Sequence, residues 1–255
     1  MTSPSILTTI GQRPCYFISP HLDDAVLSAG GLIEDLARET SVTIITVFTE
    51  AHDRNQTLSA KQFLNASGYS SATSFMNDRR KEDTSLLKGI HVSTLHLNHL
   101  DAIWRMYPKP SRGASMLGAI IPECLHLYPT YRFHIASRRI SKFDAQLIST
   151  VRKELKSRIT GKDPVVFAPI GIGHIDHTIV NTALGNFRDV YYWLDQPYAY
   201  RKCDTSVLTE YKKSFEYSFN EARKERLLRK YKTQINQLFS GGVVPRLSEI
   251  FFTKL

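Results

Sequence analysis

The sequence predicts an α/β protein whose mainly parallel sheet carries helices on both faces. Three observations point there. Short apolar runs rich in β-branched or aromatic residues alternate with amphipathic stretches, polar loops follow several of those runs, and no repeat of fixed period is visible. With 255 residues and 42% hydrophobic content, the chain can bury a sizeable core and fits one Rossmann-like domain over 1–255.

The elements follow in order. Cys15-Tyr-Phe-Ile-Ser19 reads as a buried strand, and a small-residue helix over 27–39, with Leu32, Ile33 and Leu36, follows the cluster Pro20-His-Leu-Asp-Asp24. A β-branched strand at 41–48 completes a βαβ unit. A polar loop at 50–56, helices at 59–68 and 76–88, and a strand at 92–97 come next, with Gly89 closing the second helix. Prolines, glycine and bases make 104–115 irregular, placed to help cover a site. Further on we expect helix at 117–128 broken at Pro122, a short strand at 133–136 and an amphipathic helix at 142–158. A buried strand at 164–170, a glycine-bearing turn at 171–174 and a helix at 176–186 repeat the layout of the opening. An aromatic strand at 190–194 ends in the polar loop Asp195-Gln-Pro-Tyr198. Leu228, Tyr231, Ile235 and Leu238 then fall at helical spacing in a long C-terminal helix at about 207–239, followed by an apolar tail.

Composition excludes several classes. Cys15, Cys124 and Cys203 are odd in number, far apart and in no ligand spacing, which argues against a disulfide scaffold or a cysteine zinc site. No signal-like segment opens the chain and no apolar run has membrane-spanning length, so a soluble, cytoplasmic protein with no membrane segment is expected. The net charge of +9 would suit an anionic partner, but much of it lies in 201–232, mixed with Glu210, Glu216, Glu221 and Glu225 as on a solvated helix face. No nucleic-acid partner is expected; such binding would be strongly salt-sensitive. Oligomeric state is not readable.

Chemistry concentrates at two strand-to-helix turns, His21-Leu-Asp23-Asp24 and His174-Ile-Asp176-His177. If both strands are parallel, the turns share the sheet edge where α/β proteins bind ligands. Hydrolytic zinc sites take three His or carboxylate ligands and leave a position open. Spacing makes His21 and Asp24 a ligand pair and turns Asp23 elsewhere, free to act as a base. On the second turn, spacing leaves open which of His174 and His177 is the ligand. A capped helix start would explain one acid, but not a histidine with two acids mirrored by a second cluster.

Ser19-Pro-His-Leu-Asp-Asp-Ala-Val-Leu-Ser28 together with Pro169-Ile-Gly-Ile-Gly-His-Ile-Asp-His177 resembles the LmbE-like, or PIG-L, family of zinc-dependent N-acetylglucosaminyl de-N-acetylases. The likeness continues through Arg79-Arg-Lys-Glu-Asp83, Leu100-Asp-Ala-Ile-Trp-Arg105, Asp195-Gln-Pro-Tyr198 and Tyr231-Lys-Thr-Gln234. It implies a metal-dependent amidohydrolase that removes acetyl from an N-acetylated amino sugar or sugar conjugate. His21, Asp24 and His177 would hold Zn2+ or another divalent metal. Asp23 would be the base. A protonated His174, oriented by Asp176, would stabilise the intermediate or protonate the leaving amine.

The resemblance also suggests that Arg79 reaches the substrate, although Arg79 and Glu82 could instead form a surface ion pair. Asp101 is a candidate for sugar hydroxyls and Arg105 for an anionic group. Leu22 and Ala25 depart from the proline and glutamate of the commonest first motif. Ile172 stands where many members keep a tyrosine, which leaves Tyr198 as the candidate phenol. His52, His91, His96, His99, His126 and His134 form no ligand spacing with these clusters, though His52 follows a strand. The alternative function is a catalytically silent carbohydrate-binding or regulatory relative, against which the intact base argues.

Overall fold

In the computed structural model, which describes residues 6–185, 187–201, 206–239 and 243–255, a short helix α1 (Ile6–Ile10) leads into β1 (Cys15–Ser19). Both faces of β1 are covered. Tyr16 and Ile18 enter one core, Cys15 and Phe17 the other, so the strand reads as a continuous apolar run. After it come α2 (Asp24–Leu36), β2 (Val42–Glu50), α3 (Leu58–Ala66), α4 (Ala72–Lys88) and β3 (Ser93–Leu100). Thr57 and Ser71 start α3 and α4 by accepting from Ala60 N and Ser74 N.

The next stretch is irregular, though not within the expected bounds: a helix begins at Arg112 inside 104–115, and of the helix expected at 117–128 only a 3-10 turn starting at Pro122 follows Gly118. It holds 3-10 turns at Ala102–Trp104 and Pro122–Leu125 and a short helix α5 (Arg112–Gly118). The strand expected at 133–136 is instead one π turn, Tyr131–Ile135, closed by Ala136 N donating to Tyr131 O at 2.8 Å. That turn buries Ile135 and leaves Phe133 exposed. Then follow α6 (Ala145–Arg158), β4 (Val165–Pro169), α7 (Ile175–Ala183) and β5 (Val190–Trp193).

The long helix expected at 207–239 does not form. Its place is taken by a 3-10 turn at Ser206–Glu210, a strand β6 (Tyr211–Tyr217) and two helices, α8 (Glu221–Leu228) and α9 (Lys232–Leu238); the apolar tail becomes β7 (Glu249–Lys254). β6 is extended because β7 pairs with it, and Phe215 stacks on Phe251 with ring centroids 4.6 Å apart. Asn220 then caps α8 through Arg223 N. Nor is the basic stretch wholly a solvated face. Lys224 is buried, its Nζ 2.8 Å from Glu249 Oε1, while the Glu249 carboxylate also accepts from Gly31 N and Leu32 N beyond a kink at Ala29.

Among the described residues the strands make one seven-stranded sheet in the order β3-β2-β1-β4-β5-β7-β6. The first five are parallel, and β7 runs antiparallel to both of its neighbours, β5 and β6. Helices α2 and α8 pack together on one face, α6 and α7 on the other. The order reverses between β1 and β4, which opens a crevice at their carboxyl ends. Both sequence clusters lie there.

Candidate metal and catalytic site

The first turn is built from its own residues. Ser19 Oγ donates to His21 O at 2.6 Å and accepts from Ala25 N at 3.0 Å, while Asp24 Oδ2 accepts from His21 N at 2.8 Å. These bonds bend the chain so that Asp24 Oδ2 also lies 2.9 Å from His21 Nδ1 and 3.0 Å from His177 Nε2. Asp23 faces elsewhere, toward Arg79 Nη2 at 3.2 Å. Adjacent acids therefore diverge, as their positions at a helix start predict.

The second turn is held from outside. Asp195, just beyond β5, accepts from Gly171 N at 2.7 Å and Ile172 N at 2.6 Å through Oδ2, and faces His177 Nδ1 at 3.0 Å through Oδ1. Gly173 has φ +76°, and a Cβ there would come within 2.3 Å of the Tyr198 ring, so glycine permits both the turn and the close seat of Tyr198. Sequence reasoning missed Asp195 as a site residue. Its only signal was its place at the end of a strand within a family-like run.

His21, Asp24 and His177 each bring a ligand atom to within 4.8 Å of the others. Their fit to a cation rests on an orphaned atom: His177 Nε2 is buried and makes no hydrogen bond, although Asp24 Oδ2 is 3.0 Å away. With Asp195 on Nδ1 and Asp176 Oδ2 3.2 Å from His21 Nε2, carboxylates direct His177 Nε2 and His21 Nδ1 toward one point. Two imidazoles and a carboxylate suit a divalent metal. A second group, His21, Asp101, His174 and Asp176, is equally close, but its atoms are engaged. Arg105 Nη2 donates to Asp176 Oδ1 at 2.5 Å, Ala102 N to Asp176 Oδ2 at 2.9 Å and Ile103 N to Asp101 Oδ1 at 3.0 Å.

Burial sets the protonation states here against strong local fields. Burial disfavours charge on His177, yet Asp24 and Asp195 outweigh it and carry the imidazole up to about 9. Asp24, likewise opposed by burial, is held well below the usual carboxylate range by His177 and His21. Burial and the neighbouring Asp24 push Asp23 up to about 6, against the pull of Arg79. His174 falls well below the ordinary imidazole value through burial and the nearby His21.

Several expectations change at this point. The carboxylate of Asp176 does not orient His174: it lies 4.0 Å from His174 Nδ1, which instead accepts from the Asp176 backbone N at 3.1 Å. An accepting Nδ1 makes the ring neutral with its proton on Nε2, rather than the protonated imidazole expected. Arg105 does not line the cavity; it lies behind Asp176, bonded also to Leu100 O and Asp144. Arg79 lines the cavity but donates to Asp23 and Gln234, while Glu82 accepts from Thr233, so these two residues form no ion pair with each other.

The cavity itself, about 500 Å³, has His21, Asp23, Asp24, Asp101 and His174 among its polar residues and Phe63, Ile103 and Ile135 among its apolar ones. Tyr198 also lines it, its ring 5.2 Å from His177 and perpendicular to it, and burial with Tyr131 beside it keeps its phenol protonated. Tyr131 is a second phenol at the same wall; it falls between the helix expected at 117–128 and the strand expected at 133–136, and sequence reasoning gave it no role. Other histidines have partners of their own: His96 with Asp83, His99 with Glu154, His126 with Asn55 O and His134 with Thr130. His52 packs near His126, away from the cavity. Cys203, read as part of no disulfide or zinc site, lies outside the described residues.

Fold and site together define a Rossmann-like α/β protein with a buried His-Asp-His set beside a second carboxylate. Residues 16–187, more than half of the chain, match the family described as GlcNAc-PI de-N-acetylase, PIG-L, and the chain belongs to that family. It is similar to a deacetylase of the teicoplanin biosynthesis pathway, with 22% identity over 95% of this chain and 98% of that one and a TM-score of 0.73. It is also similar to the zinc-inhibited form of a teicoplanin deacetylase, with 23% identity, coverage of 95% and 98% and a TM-score of 0.72. A pseudoaglycone deacetylase gives 24% identity, coverage of 90% and 85% and a TM-score of 0.65. At these identities the likeness establishes the fold. No curated protein matches the chain.

Proposed function

We propose that this protein is a zinc-dependent amidohydrolase that removes an acetyl or related acyl group from the nitrogen of an N-acetylated amino sugar, N-acetylglucosamine or a conjugate of it, releasing acetate and a free amine. The observation that carries this reading is the convergence of His21, Asp24 and His177 next to the separate carboxylate of Asp23 at the cavity. Membership of a de-N-acetylase family supports it. In this reading His21, Asp24 and His177 hold the metal. Zinc suits that donor set, and other divalent ions accept the same ligands. When bound, the metal polarises an amide carbonyl and makes water more acidic.

The chain's own residues do the rest. Asp23, with a carboxyl near 6 and Arg79 fixing one oxygen, takes the proton from the attacking water and returns it to the leaving nitrogen. His174, neutral and with Nδ1 already engaged, presents Nε2–H as a donor to the carbonyl oxygen as charge builds there. Asp101 and Tyr198 line the same cavity and supply an acceptor and a donor for sugar hydroxyls. The volume falls within the range of small-molecule sites. The described residues include no helix long and apolar enough to cross a membrane, and a cytoplasmic setting is part of this proposal.

The test pairs metal analysis with acetate release from a panel of N-acetylated amino sugars and their conjugates, for wild type and Asp23→Asn. Turnover by wild type and retained zinc with a large loss of turnover in the variant are expected. Equal rates would remove Asp23 as the base. Wild type free of metal and inactive in added zinc would remove the enzyme class.

A further inference from the structure

Asp176 accepts from the Ala102 backbone N through Oδ2 at 2.9 Å and also stands between two unlike side chains. Its Oδ2 lies 3.2 Å from His21 Nε2, and its Oδ1 accepts from Arg105 Nη2 at 2.5 Å. Arg105 is only 6% exposed and is held through both of its terminal nitrogens. Its Nη1 donates to Asp144 Oδ2 at 3.3 Å and its Nη2 also to Leu100 O at 3.0 Å, while the guanidinium carbon sits 4.9 Å from the Phe48 ring and 5.7 Å from the Tyr128 ring. Asp144, at the start of α6, is 1% exposed and also accepts from the Tyr128 hydroxyl. A buried row of alternating charge, Asp144, Arg105, Asp176, thus ends on His21. Neither Arg105 nor Asp144 lines the cavity, so the row has no direct route to a substrate.

We propose that Arg105, anchored by Asp144 and the Phe48 and Tyr128 rings, is a positioning residue that holds Asp176 against His21 Nε2 and so commits His21 Nδ1 to the cation. The inference rests on reading His21, Asp24 and His177 as the cation's ligands. Its physical basis is twofold. A carboxylate as buried as Asp176 stays ionised and in place only with a counter-charge at contact distance. A carboxylate on the far nitrogen of a metal-binding imidazole fixes its tautomer and ring orientation. Lysine cannot replace Arg105, because one ammonium lacks the planar fork that reaches Asp176, Asp144 and Leu100 O together.

The test is zinc affinity, measured by competition with a chromophoric chelator for wild type, Arg105→Met, Arg105→Lys and Asp144→Asn, each checked for folding by circular dichroism. Arg105→Met is expected to bind zinc roughly 10–100-fold more weakly, with Arg105→Lys between it and wild type and Asp144→Asn weaker by several-fold. The visible spectrum of the cobalt-loaded protein is expected to shift in the same order. Folded Arg105 variants that bind zinc as tightly as wild type would overturn the inference. If Arg105→Met does not fold, Asp144→Asn decides, and unchanged affinity and an unchanged cobalt spectrum there would overturn it. Wild type that binds no zinc would overturn the ligand assignment and this inference together, whereas zinc-binding wild type matched by its variants would overturn this inference alone.

Discussion

The turn after β1 and the turn after β4 leave neighbouring strands of one sheet, yet they are braced differently. Ser19 and Asp24 hold the first turn through bonds to His21 and Ala25, all within six residues. The second depends on Asp195, which reaches back 24 residues to Gly171 and 18 to His177. Local bracing leaves Asp23 free of the turn's own hydrogen bonds and available for chemistry. Distant bracing lets the second turn carry two left-handed glycines and still present His177 in one orientation.

The largest effect tests the first turn's free carboxylate. Asp23→Asn is expected to lower kcat by about 10²–10⁴-fold while zinc content, measured by metal analysis, stays at wild-type level. Next comes the brace of the second turn. Asp195→Ala orphans three donors, and about 3 kcal/mol or more of stability should be lost. Zinc should also bind roughly 10–100-fold more weakly, as read by denaturant titration and chelator competition. A variant as stable as wild type would break the comparison, because the second turn would then need no outside brace.

Arg79→Met removes the cation beside Asp23 without touching either turn's backbone. The expected outcome is a fall in kcat/KM on the order of tenfold with unchanged zinc affinity; a rise in KM alone would instead return Arg79 to substrate binding. Two glycines then isolate the contact with Tyr198. Gly173 and Gly68 both have φ +76°, but only Gly173 faces a neighbour, Tyr198 at 2.3 Å from the added Cβ. Gly68→Ala should cost about 1 kcal/mol and Gly173→Ala about 1–3 kcal/mol more, by thermal unfolding. Equal losses would mean that Tyr198 moves aside without cost. The smallest effect concerns the strand under the first turn. Burial pushes the Cys15 thiol up to about 12, so its reactive thiolate is scarce below that pH. Alkylation of Cys15 at pH 8 is expected to be negligible in folded protein and complete in denaturant; rapid native labelling would mean that β1 opens.

Legibility followed the range of the interactions. His21, Asp23 and Asp24 could be sorted from spacing because a helix start imposes their divergence through local geometry. Arg105 could not, since its sequence neighbours say nothing of Asp176, 71 residues away, which it contacts at 2.5 Å. Tyr131 was hidden because a π turn leaves no periodic pattern to read. Lys224 looked solvated for a similar reason: Glu249, brought in by β7, and Leu247 O, both distant in sequence, make its burial tolerable.

Alternation of apolar strands and amphipathic helices determined the parallel core from β1 to β5, and two polar clusters after strands determined where its chemistry sits. Such patterns are local, and burial on both faces forces them into view. Tertiary structure decided the C-terminal quarter and the aim of the site. β6 is a strand only because β7 pairs with it across some forty residues. His21 and His177 have carboxylates from other elements, Asp176 and Asp195, on the nitrogens that face away from Asp24, a placement no local pattern reveals.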